Sequence, residues 1–473
     1  MMHRIEAMDI LLTHGYFMHE DAHELQVMRP YPPLGILCIS AHLKQCGFAP
    51  TVFDATFRTR AEFDALITRE RPPVVGFYCN LLTRPSVLRM IPVCRSVGAT
   101  IIVGGPDPAN YAAEYLDAGA DIVVVGEGER ALEQLLPHLA RSGLDDLAGI
   151  AGIRYRGADG RVAVTPAREY IEDLDAQPFP DRAAIDIPEY VRAWRDHHGM
   201  GSVSLITARG CPYRCSWCSH AVYGYRHRRR SVVNVADEVE QIMADYRPDM
   251  LWYADDVFTI HRRWLLDYAA ELKRRGIRIP FETISREDRL DEEVVRTLAD
   301  MGCFRLWIGS ESGSQRVLDA MSRRTNAARV REMVHLLQQH GIEAGMFIML
   351  GYDGETMADL HETVEHLKLA RPDRLLTTIA YPIKGTPYYE AVADRIVALR
   401  PWAEGSDRDH TVLGRHSRRF YAHATRWLVN EVATVQARRG ATPAYGRALR
   451  SYVSARVGRL GMMLTSGEVE EGT

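Results

Sequence analysis

The chain has 473 residues, 46% of them hydrophobic and 25% charged, with a formal net charge of -4. That length is more than one domain and, at roughly 150 residues each, suggests about three globular ones. The near-neutral charge excludes a global nucleic-acid-attracting field, and no run of about 20 apolar residues is present to span a membrane. Arg4, Glu6 and Asp9 interrupt any signal-peptide core, so a cytoplasmic location is expected.

In chain order, residues 9–13 read as an apolar strand, and Leu34–Gln45 has helical apolar spacing. A strand at 51–54 and a helix at 61–68 follow. Val74–Tyr78, residues 100–103 and residues 121–125 are apolar runs of the buried parallel type. Strands alternating with helices predict a doubly wound α/β sheet, whose ligands bind beyond the carboxyl ends of the strands. Two of those ends run into Gly104-Gly105-Pro106-Asp107-Pro108 and Gly126-Glu127-Gly128-Glu129. On spacing alone these are tight turns, because no G-x-G-x-x-G phosphate fingerprint is present.

Of eight cysteines, five are scattered in apolar stretches, where a thiol behaves as a small hydrophobe. Cys211, Cys215 and Cys218 cluster in Gly210-Cys211-Pro212-Tyr213-Arg214-Cys215-Ser216-Trp217-Cys218, just after an apolar strand. Three thiolates at C-x3-C-x2-C suit three irons of a cubane cluster and leave the fourth open. A zinc site is the competitor, with His220 as a fourth ligand.

With Trp217 before its third cysteine, this motif resembles that of the radical S-adenosylmethionine enzymes. Six strand-like runs at 203–207, Met250–Tyr253, 280–285, 304–308, Glu343–Leu350 and 375–380 are separated by amphipathic helices such as those at 235–246 and 291–301. They match the partial (β/α)6 barrel of that superfamily, whose chemistry sits at the C-terminal face. The resemblance implies that S-adenosylmethionine meets Tyr213, Trp217, Asp255, Asp256, Ser285, Arg286, Glu311 and Ser312. It implies a [4Fe–4S] cluster on Cys211, Cys215 and Cys218, and a 5′-deoxyadenosyl radical that abstracts hydrogen from an unactivated carbon. The late stretches 349–356 and 381–387 fit the same pattern.

An α/β domain ahead of the barrel resembles the cobalamin-binding branch of these enzymes. Arg29-Pro30-Tyr31-Pro32-Pro33, the two glycine turns and the connector at 171–180 carry that likeness. It implies cobalamin beside Tyr31, Asn80, Leu81, Gly104, Gly105, Pro106, Gly126, Glu127, Gly128 and Glu129. Two departures stand out. The D-x-H-x-x-G motif is missing after the first strand, where Thr13-His14-Gly15 occurs, and its one literal match is Asp196–Gly201, containing His198. Cobalamin is therefore expected base-off, with no histidine on cobalt. Asp107 stands where relatives often carry histidine.

The resulting domain plan is a Rossmann-like cobalamin-binding domain at 1–145, a linker at 146–200, the barrel at 201–390 and a small helical domain at 391–473 capping the barrel mouth. Arg226-His227-Arg228-Arg229-Arg230 reads as a solvated basic face or a carboxylate contact. Methyl transfer from cobalamin to a small-molecule substrate, a natural product or lipid, is the implied reaction. A radical cyclisation with the same cofactors is the rival, and a non-catalytic cluster protein a further one. A flavodoxin- or ferredoxin-type electron donor is the implied partner, with no nucleic acid.

Overall fold

A strand buried on both faces must carry apolar side chains at consecutive positions, and the first strand does so. In the computed structural model, which describes residues 8–438 and 444–470, β1 is Ile10–His14. Leu11 points into one hydrophobic cluster with Phe63, Phe77, Ile101 and Val103. Ile10 and Leu12 point into another with Ile36, Ile102, Ile122 and Leu135. Each fully buried Leu or Ile contributes about 1.5–3 kcal/mol, so two such faces hold a doubly wound sheet firmly.

The remaining strands of this sheet are β2 (Pro50–Phe53), β3 (Val74–Tyr78), β4 (Thr100–Gly104), β5 (Ile122–Val124), β6 (Ile153–Arg156) and β7 (Val162–Val164). Their order is β2-β1-β3-β4-β5-β6-β7, parallel through β5 and antiparallel at β6 and β7. The helices are α1 (Ala22–Val27), α2 (Leu34–Gln45), α3 (Arg60–Glu70), α4 (Arg84–Ser96), α5 (Ala112–Asp117) and α6 (Glu129–Ser142). The segment expected as a linker is structured: it supplies β6, β7 and α7 (Ile187–His198). The short edge strand β7 is half exposed, which is why its pattern does not read as a buried strand.

The chain divides into two compact units, Met1–Pro212 with Ser219–Met250 and Arg400–Ser406, and Tyr213–Cys218 with Leu251–Leu399 and Asp407–Thr473. The first also holds β8 (Ser202–Leu205), the antiparallel pair β9 (Ala208–Arg209) and β10 (Arg228–Arg229), and α8 (Val232–Tyr246). The second carries parallel strands β11 (Met250–Tyr253), β12 (Phe281–Ser285), β13 (Cys303–Glu311), β14 (Glu343–Leu350) and β15 (Arg374–Ile379), paired in chain order. Its helices are α9 (Arg262–Arg274), α10 (Glu292–Met301), α11 (Gln315–Ala320), α12 (Ala327–Gln339), α13 (Met357–Ala370) and α14 (Pro387–Val392). Several begin on a side-chain cap, such as Asp291 accepting from Val294 N and Thr356 in a capping box with Asp359. All six strands expected for the partial barrel therefore form, each followed by a helical crossover.

The C-terminal region is not purely helical. A hairpin of β16 (Ile396–Ala398) and β17 (His410–Val412) precedes the helices α15 (Arg418–Ala437) and α16 (Tyr445–Leu464). Among the described residues no helix is long and apolar enough to cross a membrane. Arg4 and Glu6, read as interrupting a signal-peptide core, lie outside the described residues.

Candidate functional site

The second unit gathers most of the barrel residues singled out in the sequence. Arg286, directly after β12, is buried; it donates from Nε to Asp288 Oδ1 (2.9 Å) and from Nη2 to the carbonyls of Arg323 and Arg324. Its guanidinium lies 3.8 Å from the Tyr213 ring centroid, so the cysteine loop is stacked onto the third strand's end. Arg286 Nη1 is left buried without a hydrogen-bond partner, a cationic donor suited to an incoming carboxylate. The hydroxyls of Ser285 and Thr259 are bonded to each other beside it.

Glu311 ends β13 at a register shift and holds φ at 60°, a left-handed conformation rare for a residue with a side chain. Burial pushes its carboxyl up to about 8, opposed by the Arg286 charge. Arg323 joins it to the cysteine loop: Nε lies 3.7 Å from Glu311 Oε1, Nη2 donates to Gly309 O, and Nη1 reaches Cys215 Sγ at 3.7 Å. Burial raises the Cys215 thiol, while Arg286 lowers it. Arg323 was not recognised in the sequence; its only mark there is that it follows the Ser310-Glu311-Ser312 stretch by one short helix.

Other contacts fix the loop itself. Ser216 donates from N and Oγ to Met321 O, and its hydroxyl is bonded to that of Tyr352 at 2.7 Å. Tyr388 N donates to Ser216 O, and the Tyr352 and Tyr388 rings stack at 4.6 Å. Trp217 packs against the hydrophobic cluster of Met321, Met349, Tyr352 and Tyr388, with its Nε1 buried and unpartnered. Cys218 is half-buried, and Cys211, on the first unit's side of the loop, donates its N–H to Gly224 O. Asp255 is buried and Asp256 open to solvent after β11. Ser312 departs from expectation. Its hydroxyl is bonded to that of Thr363 and accepts from Ser314 N, fully buried, so it faces α13.

In the first unit a cleft with about 670 Å³ of empty space, partly open to solvent, lies at the carboxyl ends of β3, β4 and β5. Gly104, Gly105, Gly126, Glu127, Gly128 and Glu129 line it, as do Gly35 and Tyr223. Gly105 has φ of 108°, and a Cβ there would sit 2.3 Å from Cys79 O. Only glycine keeps the two strand ends this close. Tyr31, Asn80, Leu81 and Pro106 are not among the lining residues. Tyr31 meets Trp194 edge-on, and Asn80 Oδ1 accepts from Leu82 N and Thr83 N at the start of α4. His198 does not line the cleft either; its Nε2 bonds the carbonyls of Val27 and Met28. His14 closes β1 on Asp54 Oδ1 at 2.9 Å.

The carboxylates of Glu127 and Glu129 are not presented to a ligand. Arg209 donates to both at 2.7 Å, and Arg228 donates to Glu127 at 2.8 Å, all four buried. This corrects the view of 226–230 as a solvated face. Arg228 and Arg230 are spent on Glu127 and Glu238, and only Arg226, paired with Glu172, is well exposed. Asp107, the position without histidine, is the buried counter-ion of Arg84, at 2.6 and 2.9 Å, and accepts from Tyr115 OH.

Residues 205–367 match the Radical SAM superfamily, and residues 26–136 match the B12 binding domain. The chain is a cobalamin-dependent radical S-adenosylmethionine enzyme. It is similar to an uncharacterized methyltransferase of Pyrococcus horikoshii, 25% identical over 399 residues that cover 81% of this chain and 84% of that one. It is also similar to the anaerobic magnesium-protoporphyrin IX monomethyl ester cyclase of Rubrivivax gelatinosus, 25% identical over 80% of this chain and 70% of that one. The radical S-adenosylmethionine methyltransferase TsrM of Kitasatospora setae, with cobalamin and a [4Fe-4S] cluster bound, shares the fold with a TM-score of 0.69 at 19% identity, over 84% of this chain and 81% of that one. The residues of this cobalamin-dependent radical enzyme fit the cofactors of its family. Three cysteines lie on one loop, a spare buried guanidinium N–H faces the barrel site, and a glycine-edged cleft tops the first sheet.

Proposed function

We propose that the enzyme methylates an unactivated carbon of a small-molecule substrate, a natural product or lipid. The observation that carries this is the pairing, in one chain, of a glycine-edged cleft in a B12-binding domain with a radical S-adenosylmethionine domain, together with the methyltransferase relative. When bound, the cofactors supply one-electron cleavage of a sulfonium, a carbon-centred radical and a transferable methyl group. Cys211, Cys215 and Cys218 hold the cluster, and Arg323 neutralises charge at the Cys215 sulfur. Arg286 Nη1 takes the methionine carboxylate, Asp255 and Asp256 the amino group, and Glu311 the ribose hydroxyls. Tyr213 stacks on the Arg286 guanidinium, Ser285 holds the Arg286 backbone carbonyl, and Trp217 braces the loop. The backbone of Gly104, Gly105 and 126–129 would border the corrin, and with no histidine in that lining a base-off cobalamin would meet no imidazole from the cleft. Reducing equivalents come from an external flavodoxin- or ferredoxin-type protein.

Cyclisation is the second reading, favoured by the cyclase relative. Product analysis of the reduced, anaerobic, cobalamin-loaded enzyme separates the two. Methyl transfer produces S-adenosylhomocysteine as well as 5′-deoxyadenosine. Formation of 5′-deoxyadenosine alone supports cyclisation, and formation of neither removes both readings.

A further inference from the structure

The C-terminal helix α16 packs the wrong way round for a soluble protein. Its small residues face inward: Ala448, Ala455 and Gly458 are buried, and a Cβ on Gly458 would lie 2.6 Å from Trp427 N of α15. Its large apolar residues, apart from the buried Met462, face solvent. Leu449 is 64% exposed, Leu460 58% and Leu464 76%, with Tyr445, Val453 and Val457 also exposed. At about 100° per residue these six fall within an arc of about 120°, an apolar stripe along the helix interrupted only by the exposed Arg456, which lies over the Tyr452 ring. Monomeric soluble proteins rarely leave such a stripe uncovered.

Charge identifies what covers it. Residues 418–464 contain nine arginines, no lysine and a single acidic residue, Glu431, in a chain whose net charge is -4. Glu431 is already engaged, accepting from Trp427 Nε1 and lying 3.8 Å from Arg456. On the helical wheel Arg450 and Arg459 border the stripe on its two sides. An apolar face edged by arginines is the pattern of a helix lying in the headgroup region of an anionic bilayer, with tyrosine rings at the polar boundary. Pairing with a second copy would oppose two cationic surfaces, which disfavours a homodimer.

We propose that α16 is an interfacial helix that docks the enzyme on an anionic membrane surface. The test uses full-length holoenzyme floated with vesicles of phosphatidylcholine alone and with about one-third phosphatidylglycerol added. The expected result is at least about tenfold more protein on the anionic vesicles, falling with added salt. Leu449→Asp with Leu460→Asp, both at exposed positions, should remove that binding while leaving cleavage of S-adenosylmethionine intact. Equal binding to both vesicles, no binding, or unchanged binding of the double variant would overturn the proposal. So would a concentration-dependent dimer in sedimentation velocity that the same two substitutions abolish, since the stripe would then be a self-association face.

Discussion

Arg209 Nη2 and Glu129 Oε1 form a buried 2.7 Å ion pair. Arg209 is two residues before Cys211, and Glu129 begins α6 at the rim of the cleft. Desolvation opposes the Arg209 charge, but the Glu129 and Glu127 carboxylates more than compensate and hold it protonated. Replacing Arg209 with Met strands the buried Glu129 carboxylate, while Glu127 keeps Arg228. A loss of about 3–5 kcal/mol in urea unfolding is expected, with a smaller loss for Glu129→Gln, which keeps the Glu127 contact.

Arg323 Nη1 lies 3.7 Å from the Sγ of Cys215, the cysteine proposed as a cluster ligand. Arg323→Met should slow S-adenosylmethionine cleavage by about 10–100-fold while the iron content stays full, as expected for a group that tunes a metal ligand. Cys215→Ala, in contrast, should lose both the iron–sulfur absorbance and all cleavage. Wild-type turnover by the Arg323 variant would make the 3.7 Å contact incidental.

The adjacent cleft glycines Gly104 and Gly105 should behave differently. A Cβ at Gly104 meets Val124 only at an ordinary 3.7 Å, so Gly104→Leu should fold, keep its cluster and purify with little cobalamin. Gly105→Ala forces a Cβ against Cys79 O at a positive φ, and should cost about 1–3 kcal/mol of stability. Cobalamin and iron content, with thermal melts, distinguish the two outcomes.

Glu355 has Oε2 accepting from Gly351 N at 2.6 Å and Oε1 buried without a partner. Burial pushes its carboxyl up to about 8. The folded state then holds a proton that the unfolded chain releases, so this group's contribution is full at low pH and is lost as pH rises toward 8. Glu355→Gln should match wild type near pH 5 and melt higher by roughly a few °C near pH 8. A constant difference across that range would place the effect elsewhere.

No histidine is among the residues that line the cleft of the first unit. His14 is paired with Asp54, and His198 with the carbonyls of Val27 and Met28. The cob(II)alamin form should therefore show no nitrogen superhyperfine splitting in electron paramagnetic resonance, in wild type and in His198→Ala alike.

Much of the scaffold was legible in the sequence. Leu34–Gln45, Val74–Tyr78, Met250–Tyr253 and Glu343–Leu350 have the bounds their apolar runs indicated, because strands and helices buried by neighbours on two sides must be apolar throughout. The hairpin β6–β7 escaped notice because an edge needs only half of that pattern. The charged residues were less legible. Arg228 looked like surface because charge runs usually are, and its burial depends on Glu127, more than a hundred residues earlier in the chain. Ser312 carries the right residue type in the right stretch, yet its direction is set by Thr363 on α13. Local spacing cannot report partners that only the folded chain brings together.

The pair Arg84–Asp107 has a consequence for how the protein can be made. The Arg84 guanidinium is covered by Tyr111 and Trp402, at 4.3 and 5.2 Å, and donates to the carbonyls of Trp402 and Gly405. Residues 400–406 are thus part of the N-terminal unit although they emerge from the ribosome long after it. During synthesis, that unit must wait with a charged core position uncovered until the whole barrel has been translated. An N-terminal fragment ending before residue 400 should therefore be expressed as a loosened, protease-sensitive species, and the gene cannot be cut between its two cofactor modules without leaving one of them unfinished.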